Sequence, residues 1–447
     1  MSQLRKPLLD FCSGSGDPTN ALRKLLRKSC GSRSLQLPTP VSVLDTDSLN
    51  TLIDVFQEVG FRDFPVIRRF MRDLHHEVVS LESALKLLEN SSAFGCMDEC
   101  VTGRLLVATL KRYPLCEISL NDCLRMLRIL KVQRFRHIDL IESISRRVLS
   151  EGVASQKFTL VRMLGELDLL GATMLIGLPR PATHSDRINL AWGLILQEAR
   201  ISAEIDVPAL IYDCIEPFGK RDSINSLGLS ESAKHKLRLV RDAIYFLHRE
   251  SIYENLSDST KFFFSNLMSE SESKPLSGSP RRVVKPALQK VSDTLFAENV
   301  AHSVHGIIGP FVVDIVERDR KIVWEYDDSD RYYSDGTEAV KSSYYELKRR
   351  VLNAMGYKVI SVPHWHWKKM NNKKLRGDYC RTSRYLALTD IRETLGMRRD
   401  PRNFRVSENL FLNSSEHIFQ SENIYKKQRP KQTWAWNKPT GTLRIAI

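Results

Sequence analysis

The chain lacks long hydrophobic runs. None of its apolar stretches approaches the roughly 20 residues that a helix needs to cross a bilayer, so the sequence predicts no membrane span. Aromatic residues are also few, at 8% of the 447 residues. Apolar residues nevertheless make up 42% of the chain, which is enough to bury a large core and argues against global disorder. This length predicts two or three domains.

The eight cysteines lack the spacing of a zinc site or of a disulfide framework. Cys96 and Cys100 lie four residues apart, but no second Cys pair or His pair accompanies them. We therefore expect free thiols in a reducing compartment, with no metal ion and no cofactor.

Positive charge is not in excess before residue 341. From Lys341 to the last residue there are 23 Lys and Arg against 8 Asp and Glu, whereas residues 1–340 are close to neutral. A net charge of +14 that is concentrated at one end indicates a polyanionic partner, most simply nucleic acid. A basic surface that serves only solubility is the alternative.

The N-terminal segment, residues 1–47, is basic and contains several serines and few acids. This composition is compatible with an organellar transit peptide and is too polar for a secretory signal. We therefore expect targeting to an organelle. An ordinary basic N-terminus is the alternative.

Residues 48–268 show the periodicity of amphipathic helices. Segments 61–74 and 133–147 resemble each other, 96–110 occupies the position between them, and 169–178 would be the next unit, at a period of roughly 36 residues. Stacked helical pairs of this kind form a solenoid-like array. An irregular all-α domain is the alternative.

A linker rich in Ser, Gly and Pro is predicted at 269–282, and an α/β module follows at 283–370. After a helix, the β-rich runs FVVDIV and KIVWEY indicate a hairpin that places Asp314 opposite Trp324 or Glu325. A helix and a third strand follow, which predicts a small mixed sheet with a helix against it.

Two aromatic and basic patterns complete the module. Lys348, Arg349 and Arg350 are expected to project outward from the second helix. In HWHWKKM, Trp365 and Trp367 alternate along an extended segment, so that one would pack on the core and the other could stack on a base. A fully buried tryptophan pair is the alternative.

The run from Val313 to Met370 resembles the RAP domain, a module abundant in apicomplexan parasites and present in other eukaryotes. The family pattern appears here as VVDIV, VWEYD, ELKRRVLNAMGYKVISVP and WHW. The resemblance implies degenerate helical repeats before a C-terminal module similar in fold to the PD-(D/E)xK nucleases. It also implies a role with organellar RNA, in transcript processing and stability or in ribosomal RNA maturation and assembly.

In a nuclease of this fold, Asp314 and Glu325 would hold a hard cation. The lysine expected two residues after the second carboxylate is Asp327 here, and Lys348 is the candidate substitute. Because the motif lysine is replaced, we predict that the protein is not an enzyme. A metal-dependent RNA-processing endonuclease that uses Asp314, Glu325 and Lys348 is the alternative.

We expect RNA, most specifically ribosomal RNA, as the partner. The predicted contacts are stacking by Trp365 or Trp367 and phosphate binding by Lys348, Arg349, Arg350, Lys368, Lys369, Lys373, Lys374 and Arg376. The basic extension 371–447, with a helix at 382–399, would contact RNA or other ribonucleoprotein subunits. We thus predict a component or assembly factor of the mitochondrial ribosome. An mRNA-stability factor and a protein–protein scaffold are alternatives.

Overall fold

The computed structural model describes residues 80–94, 113–201, 204–220, 228–273, 285–334 and 339–389, together with isolated positions between 50 and 110. The segments 1–47 and 61–74, most of 96–110 and everything after Thr389 lie outside these residues. The described part is mostly helical and ends in a small mixed sheet, which confirms the predicted fold class.

The chain forms two compact units, and the boundary between them falls between Gly152 and Val153. The described helices of the first unit are α1 (Leu81–Phe94), α2 (Leu120–Val132) and α3 (Ile138–Glu151). Arg125 of α2 donates to Glu82 at 2.6 Å and to Glu89 at 2.9 Å, both on α1. The boundary falls inside the predicted helical domain 48–268, so the later helices share a unit with the sheet.

Five described α-helices of the second unit precede the α/β module. They are α4 (Ala154–Glu166), α5 (His184–Ile201), α6 (Val207–Ile215), α7 (Glu231–Leu247) and α8 (Asp258–Ser273). Helices α4 and α5 approach closely because Gly165 and Gly193 face each other. The repeat helix predicted at 169–178 is wrong: Gly171 and Gly177, the latter with φ +77°, flank only a short 3-10 turn.

Helix α8 continues to Ser273, so the first residues of the predicted linker 269–282 are helical. Residues 274–284 are not described. The module then starts with α9 (Pro286–Ala297), where proline occupies the first helical position and needs no backbone donor.

The sheet has four strands. In their spatial order they are β1 (Ser303–Ile308), β2 (Phe311–Glu317), β3 (Ile322–Asp327) and β6 (Lys358–Pro363), and only the β3–β6 pair is parallel. A separate ribbon joins β4 (Tyr332–Ser334) to β5 (Ala339–Lys341), and the helix α10 (Ser343–Ala354) precedes β6. The predicted hairpin is confirmed, whereas β1 and the ribbon were not predicted from the sequence.

The two faces of the sheet differ in polarity. One face buries Ile315 and Trp324 against α9 and against Tyr379. The other face lies under α10 and carries polar residues, since neighbouring residues of a strand point to opposite sides. The register pairs Ile315 with Trp324, and its continuation places Asp314 opposite Glu325. This settles the alternative that the sequence left open.

The segment after Pro363 is the short helix α11 (His364–Lys369), so the prediction of an extended segment is wrong. Proline precedes the first turn, where its missing donor costs nothing. A further helix, α12 (Lys373–Thr389), packs Tyr379 and Cys380 into the sheet core. The module therefore does not end at Met370, and the helix predicted at 382–399 begins earlier. Among the described helices, none is long and apolar enough to cross a membrane.

Candidate nucleic-acid interface

A buried cluster of charges lies on the polar face of the sheet, centred on Arg331. This residue ends a 3-10 turn (Ser329–Arg331) that directly follows β3, and it is only 7% exposed. Its guanidinium donates to all three carboxylates of the cluster: Asp314, Glu325 and, at 3.2 Å, Asp327. A planar group with several fixed donors is well suited to such a contact.

Two lysines complete the cluster. Lys348 donates to a carboxylate oxygen of Glu325 at 2.6 Å and to the carbonyl of Val312 at 2.7 Å. Lys341 donates to Asp327 at 2.8 Å, and the hydroxyl of Ser361 donates to the same carboxylate oxygen. Three cationic side chains thus balance three carboxylates, which limits the cost of burying them.

Burial and charge shift the pKa values of this cluster in different directions. Burial alone would raise the pKa of Asp327, but the charge of Lys341 and the hydrogen bonds to the carboxylate lower it below its usual value. Burial raises the pKa of Asp314, and Arg331 only partly opposes this. Burial also lowers the pKa of Lys348 despite the nearby Glu325. These opposing shifts indicate interdependent charges.

A catalytic metal ion does not fit this arrangement. Between the carboxylates of Asp314 and Glu325, the position that a divalent cation would need is filled by the guanidinium of Arg331. The adjoining pocket has room for about one water molecule. Across the described residues, no three His, Cys, Asp or Glu side chains are grouped to hold a metal.

The basic helix α10 differs from its prediction. Lys348 does not project outward, because it shares a buried stripe with Leu347 and Val351. Arg350 is bound to Glu198 of α5 at 2.6 Å. Arg349 is exposed but lies 2.9 Å from Glu346 in the same helix. These three side chains therefore serve contacts within the protein.

Exposed positive charge instead collects where α11 meets α12. We call this surface the lysine corner, and its members are Lys368, Lys369, Lys373 and Lys374. No carboxylate among the described residues pairs with any of them. Three residues, 370–372, separate the two lysine pairs, and the side chain of Asn372 accepts from the backbone N–H of Lys374 at 2.9 Å. Within the described residues, the fold thus presents four cations without a carboxylate partner on one short turn.

The two tryptophans of α11 occupy different environments. Trp367 is 2% exposed and packs in the sheet core, and the guanidinium carbon of Arg376 lies 5.3 Å from the centre of its ring. Trp365 is half-buried, with its ring 5.2 Å from that of Tyr332. Trp367 is thus a core residue and Trp365 is only partly buried, whereas stacking of Trp365 on a base stays a prediction.

Arg331 and Lys341 were missed in the sequence. The only signal for Arg331 is that it stands alone among Asp327, Asp328 and Asp330, and an isolated cation in an acidic run is a candidate counter-ion. Nothing local distinguishes Lys341, because its carboxylate partner belongs to another strand.

Comparison with known proteins agrees with this geometry. The family model of the RAP domain matches residues 324–382, which include Arg331, the lysine corner and Arg376. The match extends past Met370 into α12, the helix that buries Tyr379 and Cys380. No curated protein matches the chain. The chain therefore contains a RAP domain near its C-terminal end, and this domain suggests RNA binding.

Proposed function

We propose that this chain is a non-catalytic RNA-binding protein of mitochondria that binds ribosomal RNA as a component or assembly factor of the mitochondrial ribosome. The observation that carries the proposal is the lysine corner: four exposed lysines inside a RAP domain, none of them paired with a carboxylate in the part of the chain that the structure describes.

Electrostatics favour the lysine corner over the buried cluster as the RNA contact. Each lysine that meets a phosphate releases a condensed counterion, so exposed unpaired cations contribute directly to affinity. The cations around Glu325 and Asp327 are already neutralised and inaccessible. A partner with regularly spaced negative charges is the natural ligand for the corner.

The absence of catalysis is supported by Arg331. Cleavage through Asp314 and Glu325 would require the guanidinium to leave, and breaking a buried ion pair costs about 3–5 kcal/mol. We expect labelled RNA to remain intact with Mg²⁺ or Mn²⁺. Cleavage that disappears in the Asp314→Ala variant would contradict the proposal.

The ribosomal and mitochondrial parts of the proposal rest on charge distribution. The last quarter of the chain holds the positive excess, as in ribosomal proteins whose tails contact rRNA. The basic segment 1–47 supports import. A fluorescent fusion of the whole chain is expected to accumulate in mitochondria, and a uniformly cytosolic or nuclear signal would contradict this.

Binding through the lysine corner is tested with a charge-matched pair of variants. Lys373→Ala/Lys374→Ala removes two cations from the corner, and Arg318→Ala/Arg320→Ala removes two exposed cations from the β2–β3 turn. We expect the first variant to weaken binding of a mixed-sequence oligoribonucleotide and to reduce the salt dependence by about 1.4, or about 0.7 per lost contact. Equal effects of the two variants would contradict binding at this surface.

A further inference from the structure

Arg376 is held in place by an aromatic ring. Its guanidinium carbon lies 5.3 Å from the ring centre of Trp367, within the range of a cation–π contact. Trp367 is itself fixed, because it is 2% exposed and packs among core residues such as Tyr379. The charged group therefore has fewer orientations to lose on binding than a free arginine has.

The same guanidinium has no hydrogen-bond acceptor among the residues that the structure describes. Among the described residues, no carboxylate pairs with Arg376, and its Nε–H is buried without an acceptor. Two other arginines of the module bind carboxylates: Arg331 binds Glu325, and Arg384 binds Glu317 at 2.8 Å. Because the Nε–H is buried, a ligand would accept hydrogen bonds from the two terminal Nη groups of this partly buried side chain. A guanidinium that is ordered without a carboxylate is unusual.

The position of Arg376 connects it to the lysine corner. It lies three residues after Lys373 in α12, so the two side chains are neighbours on the helix surface. Trp367, which fixes it, belongs to the helix that carries Lys368 and Lys369. Fixed and flexible cations are thus combined at one turn.

We propose that Arg376, ordered by Trp367, is the anchoring residue of the lysine corner and binds one RNA phosphate through two parallel hydrogen bonds. The lysines contact neighbouring phosphates as flexible point charges. Arginine suits this role because its planar fork matches two phosphate oxygens, whereas an ammonium group cannot reproduce that geometry. The inference rests on the proposed RNA binding at this surface.

The test compares Arg376→Lys with Lys373→Ala in the full chain, using a fluorescent mixed-sequence oligoribonucleotide between about 50 and 200 mM KCl. Arg376→Lys keeps the charge, so we expect an unchanged salt slope with roughly tenfold weaker binding at every salt concentration. Lys373→Ala removes a charge, so the slope should fall by about 0.7.

The outcomes separate the anchor from the proposed function. If Arg376→Lys binds as tightly as the parent while Lys373→Ala reduces the slope, the anchoring role is overturned and RNA binding at the corner stands. If neither variant changes affinity or slope, RNA binding at the corner itself fails.

A second measurement avoids the risk that Arg376→Lys disturbs folding. In the unaltered protein, the ¹⁵N signal of the Arg376 Nε–H should shift when the oligoribonucleotide is added, because phosphate oxygens change the environment of the guanidinium. The signal is assigned by its loss in Arg376→Lys. A signal that stays in place at saturating oligoribonucleotide overturns the proposal.

Discussion

Arg331 is the residue on which the buried charges of the sheet depend. Its guanidinium meets Asp314, Glu325 and Asp327, and no other described side chain contacts all three. Without it, three carboxylates would share a buried site with only Lys341 and Lys348 for compensation. The three carboxylates can therefore be buried together only because Arg331 compensates their charge.

Replacing Arg331 by methionine should reduce the free energy of unfolding by about 3–5 kcal/mol, because it leaves buried negative charge without a partner. Urea unfolding followed by circular dichroism measures this. Arg381→Met is the control, since that arginine pairs with Glu298 while remaining 57% exposed, and should cost less than about 1 kcal/mol. Equal losses in the two variants would argue against a structural role for the cluster.

His366 makes stability depend on pH. Burial and the nearby Lys369 lower the pKa of His366 to about 4 in the folded protein, against about 6.5 in an unfolded chain. As pH falls from about 6.5, the unfolded chain takes up a proton that the folded protein excludes. The stabilising contribution is full above this range and is lost progressively down to pH 4, by about 3 kcal/mol.

The free energy of unfolding measured from pH 7 to 4 should therefore fall more steeply in the parent than in His366→Gln. The glutamine introduces a constant cost but has no proton to exchange in this range, so only the slope is compared. His364, whose pKa is also lowered by burial, remains in both proteins. Parallel curves would show that His366 titrates normally.

At the scale of elements, two glycines set the distance between α4 and α5. A Cβ on Gly165 would lie 2.7 Å from the Cα of Gly193, too close for either backbone to remain in place. The carbonyl of Gly165 also accepts from Ser343 at the start of α10, at 2.7 Å. This contact ties the helix over the sheet to α4.

Gly165→Ala should destabilise the second unit by about 1–3 kcal/mol, because the helices must separate. Helix propensity alone would favour alanine by about 1 kcal/mol. A lower stability of Gly165→Ala would therefore be due to the steric clash between the helices. Gly171→Ala is the control, since its nearest neighbour to a new Cβ is 3.9 Å away. Thermal unfolding of both variants provides the comparison, and an unchanged or higher melting temperature in Gly165→Ala would contradict the packing described.

Which features of an element can be predicted depends on how local its causes are. The β2–β3 hairpin was predictable, because alternation and a polar turn are encoded within a dozen residues. The alternation of Trp365 and Trp367 in the sequence suggested a strand. Pro363, however, is compatible with the start of a helix, and this helix buries the ring of Trp367 in the core. The direction of Lys348 depends on Glu325, which is distant in sequence and lies beneath the helix.

At the scale of the whole molecule, the boundary between the neutral and the basic part of the chain does not coincide with the boundary between the two compact units. The boundary between compact units lies inside the predicted helical region, at Gly152, because packing between α4, α5, α7 and α10 joins these helices to the module. Composition could not reveal this, since a linker-like segment at residues 274–284 lies within one unit. The concentration of positive charge was evident in the sequence, whereas its division into paired and unpaired cations required the fold.

The central claim is that the lysine corner holds ribosomal RNA. Ultraviolet crosslinking in cells, followed by sequencing of the RNA and identification of the attached peptide, tests it most directly. We expect rRNA fragments attached within residues 364–376, and recovery that falls sharply in Lys373→Ala/Lys374→Ala but not in Arg318→Ala/Arg320→Ala. Recovery of no RNA, of mRNA alone, or of equal rRNA from both variants would contradict the account.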